Sequence, residues 1–217
     1  MMNKLAKEII KNYKCTVNKL YTAKLISAHH ELSYKVRNQE CILEYDTKSS
    51  YSNILYDSSL NAIDLYNELL IHDQFNIEFI DGSILIFQCL LNKEQIKKQR
   101  IIYIKPFLNM YNECSENFDS WEAYQIAEET SNLLNFPLIL RVDYDCKETK
   151  ADHPYSHLTI SNIENCRIPI VSNISFERFV EFILHQIFNI YNIDINKANY
   201  PKTIRDNETK MIHIGWD

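Results

Sequence analysis

Polar chemistry is densest between Arg141 and Arg167. Arg141, Asp143 and Asp145 occupy alternate positions, with Leu140, Val142 and Tyr144 between them. A strand has a side-chain period of two, so the three charged groups should share one face and the three apolar ones the other. His153-Pro154-Tyr155-Ser156-His157 follows, and then Arg167-Ile168-Pro169. Two carboxylates and two imidazoles (Asp143, Asp145, His153 and His157) are a ligand set that suits a divalent transition metal activating water. Arg141 and Arg167 could clamp a phosphate or a carboxylate. His157 shares a strand face with Thr159 and could act as an acid or base beside that hydroxyl. The same residues have a plainer reading, in which Arg and Asp on a strand face are laced by cross-strand ion pairs and His157 donates to a buried carbonyl. The residues leave all of these open: a surface for a ligand or partner, a metal centre, or a structural ion-pair ladder.

Other constellations carry less. His29-His30-Glu31 are adjacent in sequence and therefore point apart on a helix or strand, as solvated residues do. The six cysteines, at 15, 41, 89, 114, 146 and 166, form no CxxC pair; they read as unpaired thiols, with Cys89 in the core. The 217 residues contain only two glycines, Gly82 and Gly215. A P-loop, a dinucleotide-binding fingerprint and a G-x-S-x-G nucleophile elbow each need glycines within a few residues of one another, and these two stand far apart, which excludes those classes. A formal charge of −6 gives no support for a nucleic-acid coat. The one basic run, Lys93–Arg100, is interrupted by Glu94, Gln95 and Gln99 and reads as a solvated turn.

The elements that would position these groups follow from hydrophobic periodicity. A short amphipathic helix is predicted over residues 4–13, and a strand at Glu40–Tyr45 in a stretch of mixed period. Asn61–Ile71 reads as a helix capped by Ser59, with Ala62, Ile63, Tyr66, Leu69 and Leu70 on one face. Asn76–Ile80 and Ser83–Leu91 flank Asp81-Gly82, which favours a type I′ hairpin turn. A third strand, Arg100–Lys105, completes an antiparallel meander. A helix capped by Asp119 or Ser120 carries Ala123 to Leu134. Strands Leu138–Asp145, His157–Ile160 and Ile168–Val171 come next. Ser175 caps a final helix whose face runs from Phe176 to Tyr191. The fold expected is α+β: a mainly antiparallel sheet, meander plus hairpin, flanked by helices. Residues 1–192 should form one domain and residues 193–217 an extension packing back through Trp216. No signal peptide or membrane span is legible, so a cytoplasmic protein with no membrane contact is expected.

Several of these segments, taken in order, resemble one family. Asp81-Gly82-Ser83, Arg100-Ile101-Ile102-Tyr103 before Pro106, Arg141-Val142-Asp143, His153-Pro154-Tyr155-Ser156-His157-Leu158 and Arg167-Ile168-Pro169 are similar to the D-G-S, R-hydrophobic-x-Y-x-P, R-x-D, H-P-x-S-H-L and R-I-P motifs of a bacterial family of domains of unknown function. The resemblance spans about residues 65–190. It implies a bacterial, cytosolic protein with no assigned activity, of a kind associated with mobile and defence-type genes, toxin–antitoxin systems among them. If members share a site, the positions matching the motifs are Asp81, Arg100, Arg141, Asp143, His153, His157 and Arg167. The expectation is a binding module without a cofactor that engages a partner protein, encoded nearby, or a ligand. The alternative is a metal-dependent hydrolase or nuclease using the Asp/His cluster of residues 143–157, with a divalent metal.

Overall fold

The computed structural model describes residues 3–38, 40–45, 60–92, 95–106, 138–148, 153–161 and 166–195, together with 198, 200, 202–204, 208 and 211–215. The helix expected over 123–134 and its caps Asp119 and Ser120, the cap Ser59, Cys114 and Trp216 lie outside these residues.

The chain opens with α1 (Lys4–Thr22), capped by Asn3, whose side chain accepts a hydrogen bond from the Leu5 amide. The helix runs past the predicted end at residue 13 because Thr16, Val17 and Leu20 continue the buried stripe begun by Ala6, Ile9 and Tyr13. Packing of that stripe overrides the weak helix propensity of the β-branched pair. Three strands follow, β1 (Ile26–His29), β2 (Leu32–Arg37) and β3 (Glu40–Tyr45), and then α2 (Ala62–Ile71). Asn61 caps α2 through its side-chain oxygen, which accepts from the amides of Ile63 and Asp64.

The meander consists of β4 (Ile77–Phe79), β5 (Ile84–Asn92) and β6 (Gln95–Lys105), all antiparallel. Its third strand is longer than the sequence reading allowed: Gln95–Arg100 belongs to the ladder, not to a turn. The connection after β4 also differs from the type I′ turn expected. Gly82 has φ 78°, but Asp81 is not among the positive-φ residues. The Gly82 amide donates to Phe79 O at 2.9 Å and the Phe79 amide to Ser83 O at 2.8 Å, the pattern of a three-residue loop closed by a left-handed residue. Replacing Gly82 with alanine puts a Cβ where only glycine is unstrained, and the variant will lose about 1 kcal/mol in urea denaturation; no loss would show that the loop relaxes to another turn type.

The second half contributes β7 (Leu138–Asp145), β8 (Ser156–Ile160), β9 (Ile168–Pro169) and α3 (Phe176–Gln186). Ser175 caps α3, its hydroxyl accepting from the Arg178 amide at 3.2 Å. The helix ends at Gln186, and Tyr191 is exposed instead of prolonging the apolar face. The result is α+β: a nine-stranded antiparallel sheet with the path β1-β4-β5-β6-β7-β8-β9, and β3 joining β5 beside β4 and carrying β2.

The two faces of the sheet are covered differently. On one, α1 and α3 bury Leu85, Phe87, Ile101, Tyr103, Leu140 and Val142 in the main core. On the other, Tyr66 and Leu69 of α2 close over Ile84, Ile86, Ile102 and Ile104. Beyond α2 this second face becomes polar, and there the charged residues of β6 and β7 emerge. Described residues of the final segment pack on the sheet margin: Ile214 bridges Ile170, Lys202 bridges Ser172, and Ile195 is buried. Among the described residues no helix is long and apolar enough to cross a membrane.

Candidate functional site

The polar end of the second face is built by strand register. Gln88, Arg100, Asp143 and His157 stand directly opposite one another across β5, β6, β7 and β8. A second row runs Ile42, Leu90, Lys98 and Asp145 across β3, β5, β6 and β7. Thus Lys98-Gln99-Arg100 faces Asp143-Tyr144-Asp145 residue for residue, and the alternation that aims the acids into one face aims the bases there too. These rows floor a cleft of about 530 Å³, whose walls include Glu44, Glu148, His153 and Arg167. That volume lies in the range of small-molecule sites.

Asp143 is the hub. Arg100 Nε donates to its Oδ1 at 2.6 Å, and Arg141 Nε lies 2.7 Å from its Oδ2. The Arg141 contact is an ion pair without hydrogen-bond alignment, for the buried Nε has no hydrogen-bonded partner. Asp145 pairs with Lys98 Nζ at 2.6 Å and accepts from the Lys147 amide at 2.9 Å. Burial raises the pKa of Asp145, but the Lys98 and Lys147 hydrogen bonds outweigh it and hold the carboxyl below its ordinary value.

His157 is nearly sealed, with 4% of its side chain exposed. Its Nδ1 faces Pro154 O at 3.4 Å, and that of His153 faces the same oxygen at 3.2 Å. A carbonyl only accepts, so both rings carry the proton on Nδ1. The Nε2 of His157 then lies 3.8 Å from Asp143 Oδ2, beyond hydrogen-bond reach. The two rings meet edge to face, with centroids 4.7 Å apart. Burial drives the His157 pKa down to about 4, against the pull of Asp143, while His153 and Arg141 push it lower. A neutral, nearly sealed ring with Nδ1 engaged by Pro154 O and Nε2 facing Asp143 wedges the floor and is poorly placed to exchange protons with a ligand in the cleft.

The other predicted residues are distributed as follows. Arg167 lines the cleft and is exposed. His153 sits at the rim, 3.5 Å from Glu148 Oε2. Asp81 is elsewhere, ordering the β4–β5 loop: its Oδ1 accepts from the Ser83 amide and hydroxyl, and its Oδ2 pairs with Lys105 at 2.9 Å. Asp143, Asp145, His153 and His157 all line this cleft. Among the described residues no group of three or more His, Cys, Asp or Glu side chains is placed to hold a metal ion. The carboxylates serve as counter-ions to arginine and lysine, which is the ion-pair ladder that the spacing also allowed. The five described cysteines, Cys15, Cys41, Cys89, Cys146 and Cys166, are free thiols.

Sequence reasoning missed Gln88, Lys98, Glu44 and the tail's Glu208. Lys98 was detectable, since Lys98-x-Arg100 is the antiparallel complement of Asp143-x-Asp145. Glu208 is buried and accepts from the Tyr155 amide at 3.0 Å, tying the loop that carries His153 to the C-terminal segment.

Comparison with curated proteins and with solved structures gives no match. A family model described as an uncharacterized conserved protein, DUF2290, matches residues 20–216, well beyond the 65–190 over which motifs were legible. With nearly the whole chain covered, from the end of α1 into the C-terminal segment, the protein belongs to the DUF2290 family of uncharacterised conserved proteins.

Proposed function

We propose that the protein is a binding module whose cleft captures an anionic group, phosphate or carboxylate, of a ligand or partner. One observation carries this reading. Asp143 already takes Arg100, so Arg141 has no carboxylate to itself among the described residues, and it reaches Asp143 through Nε. Arg167 adds a third guanidinium on the same cleft. Planar forks held by a fixed carboxylate are preorganised for bidentate contact with an oxyanion. A binding role is favoured over catalysis because His157 is sealed and both aspartates are spent on cations. The earlier expectation of a partner-binding accessory module is thereby narrowed to recognition of an anionic group.

Pyrophosphate at ten times its Kd should stabilise the protein by about 1.4 kcal/mol, a rise of about 3–5 °C in Tm. Arg141→Gln and Arg167→Gln should each weaken the titrated affinity about tenfold or more, while Lys14→Gln, in an ion pair with Glu31 away from the cleft, should not. Equal affinities for all four proteins would refute the reading.

A further inference from the structure

The cleft is not uniformly cationic, and its opposite end has its own chemistry. Glu44 on β3 lines that end, Gln88 on β5 stands one strand nearer the arginines and directly across from Arg100, and the apolar pair Ile42 and Leu90 lies in the next row. Glu44 Oε1 accepts from Lys35 Nζ at 3.0 Å, which keeps a compensating cation beside the carboxylate, and Oε2 has no hydrogen bond among the described residues. The Gln88 amide makes no hydrogen bond among the described residues. From β3 to β7 there are three strand steps, so the carboxylate end and the arginine end lie about 14 Å apart. A complementary ligand is therefore elongated, with an anion at one end, paired N–H donors at the other, and a flat body able to lie over Ile42 and Leu90.

Resting on the anion-binding reading, we infer that the ligand is a guanine nucleotide, its 5′-phosphate held by Arg141 and Arg167 and its base read by Glu44 and Gln88. Guanine presents two neighbouring donors, N1–H and the 2-amino group, which a carboxylate accepts together; its O6 accepts from an amide N–H such as that of Gln88. Adenine lacks the N1–H and presents a lone pair there. Opposed to a carboxylate, that lone pair is repelled, and a site built to hydrogen-bond an N–H strongly rejects the analogue lacking it. A free dicarboxylate or phosphate would use the arginine end alone and leave Glu44 and Gln88 without a role.

The test is calorimetric titration of the full chain with GMP, AMP, guanosine and inorganic phosphate. GMP should bind at least about tenfold more tightly than AMP or phosphate. Glu44→Gln should weaken GMP about tenfold and leave phosphate unchanged, and Gln88→Met, which keeps the side-chain volume, should weaken GMP in the same sense. Arg141→Gln should weaken both GMP and phosphate. If AMP binds as tightly as GMP, or if GMP gains nothing over phosphate while phosphate binding still depends on Arg141, the guanine assignment fails and the anion cleft stands. If no probe binds, or if binding is indifferent to Arg141, both fail.

Discussion

Asp143→Ala will destabilise the protein by about 2–3 kcal/mol at pH 7, the largest loss expected for any single ion-pair residue described above. The carboxylate is 16% exposed and balances Arg100, 27% exposed, and Arg141, 40% exposed. Removing it takes away the carboxylate that the two guanidiniums share, and breaking a buried pair from one side costs about 3–5 kcal/mol when both partners are fully buried. The partial exposure of the arginines lowers that figure. Asp145→Ala is the internal comparison: its partner Lys98 is 58% exposed, and solvent screening should hold the loss below about 1 kcal/mol. Urea denaturation of the two variants gives the ordering directly. Phosphate or sulfate should restore part of the Asp143→Ala deficit by replacing the lost charge. Comparable losses at the two positions would mean that the Asp143 hub does not concentrate charge as described.

Much of this architecture was legible because strands and helices impose simple periods. From Leu140 to Asp145 apolar and charged residues alternate, and the shared face of Arg141, Asp143 and Asp145 follows from period two; the register against β8 does not. Ser175 announces α3 by the same local logic, since its hydroxyl can satisfy an orphan amide. What escaped was long-range. Lys98 and Arg100 look like members of a basic turn until β6 is laid against β7, for a run of lysine and glutamine carries no apolar signal of its own. Gln88 and Glu44 come from strands paired through β5, and nothing local marks a glutamine facing a cleft. His157 shows the opposite failure. In sequence it is an available acid–base group; in the fold, register places it under Asp143 and beside His153, where burial removes the proton it would need to exchange. Asp81 was grouped with the cluster by motif resemblance, but a loop closed by Gly82 needs that carboxylate for itself.

Burial of His157 should make the fold lose stability as acid is added. Its folded pKa is about 4, against an ordinary value of 6.5, so between those limits the unfolded chain binds the proton that the folded one refuses. Stability is therefore complete above about pH 6.5, falls as pH drops through the window, and has lost about 2–3 kcal/mol by pH 4.5. The groups facing the ring are Asp143, which favours protonation, and His153 and Arg141, which oppose it; Pro154 O accepts from Nδ1. Glu177 works against the trend, because burial raises its pKa and makes the folded state the better proton binder as pH falls. Asp145, held below its ordinary value, adds its own loss only at lower pH. Subtracting the pH profile of His157→Gln from that of the parent protein cancels both background carboxylates and isolates the imidazole. The difference should approach 2–3 kcal/mol by pH 4.5, with an NMR titration midpoint for the His157 ring near 4. Parallel profiles, or a ring that titrates at the ordinary histidine value, would show that solvent reaches the imidazole; the wedge would then be an accessible acid–base group, and the case for binding over catalysis would have to be reopened.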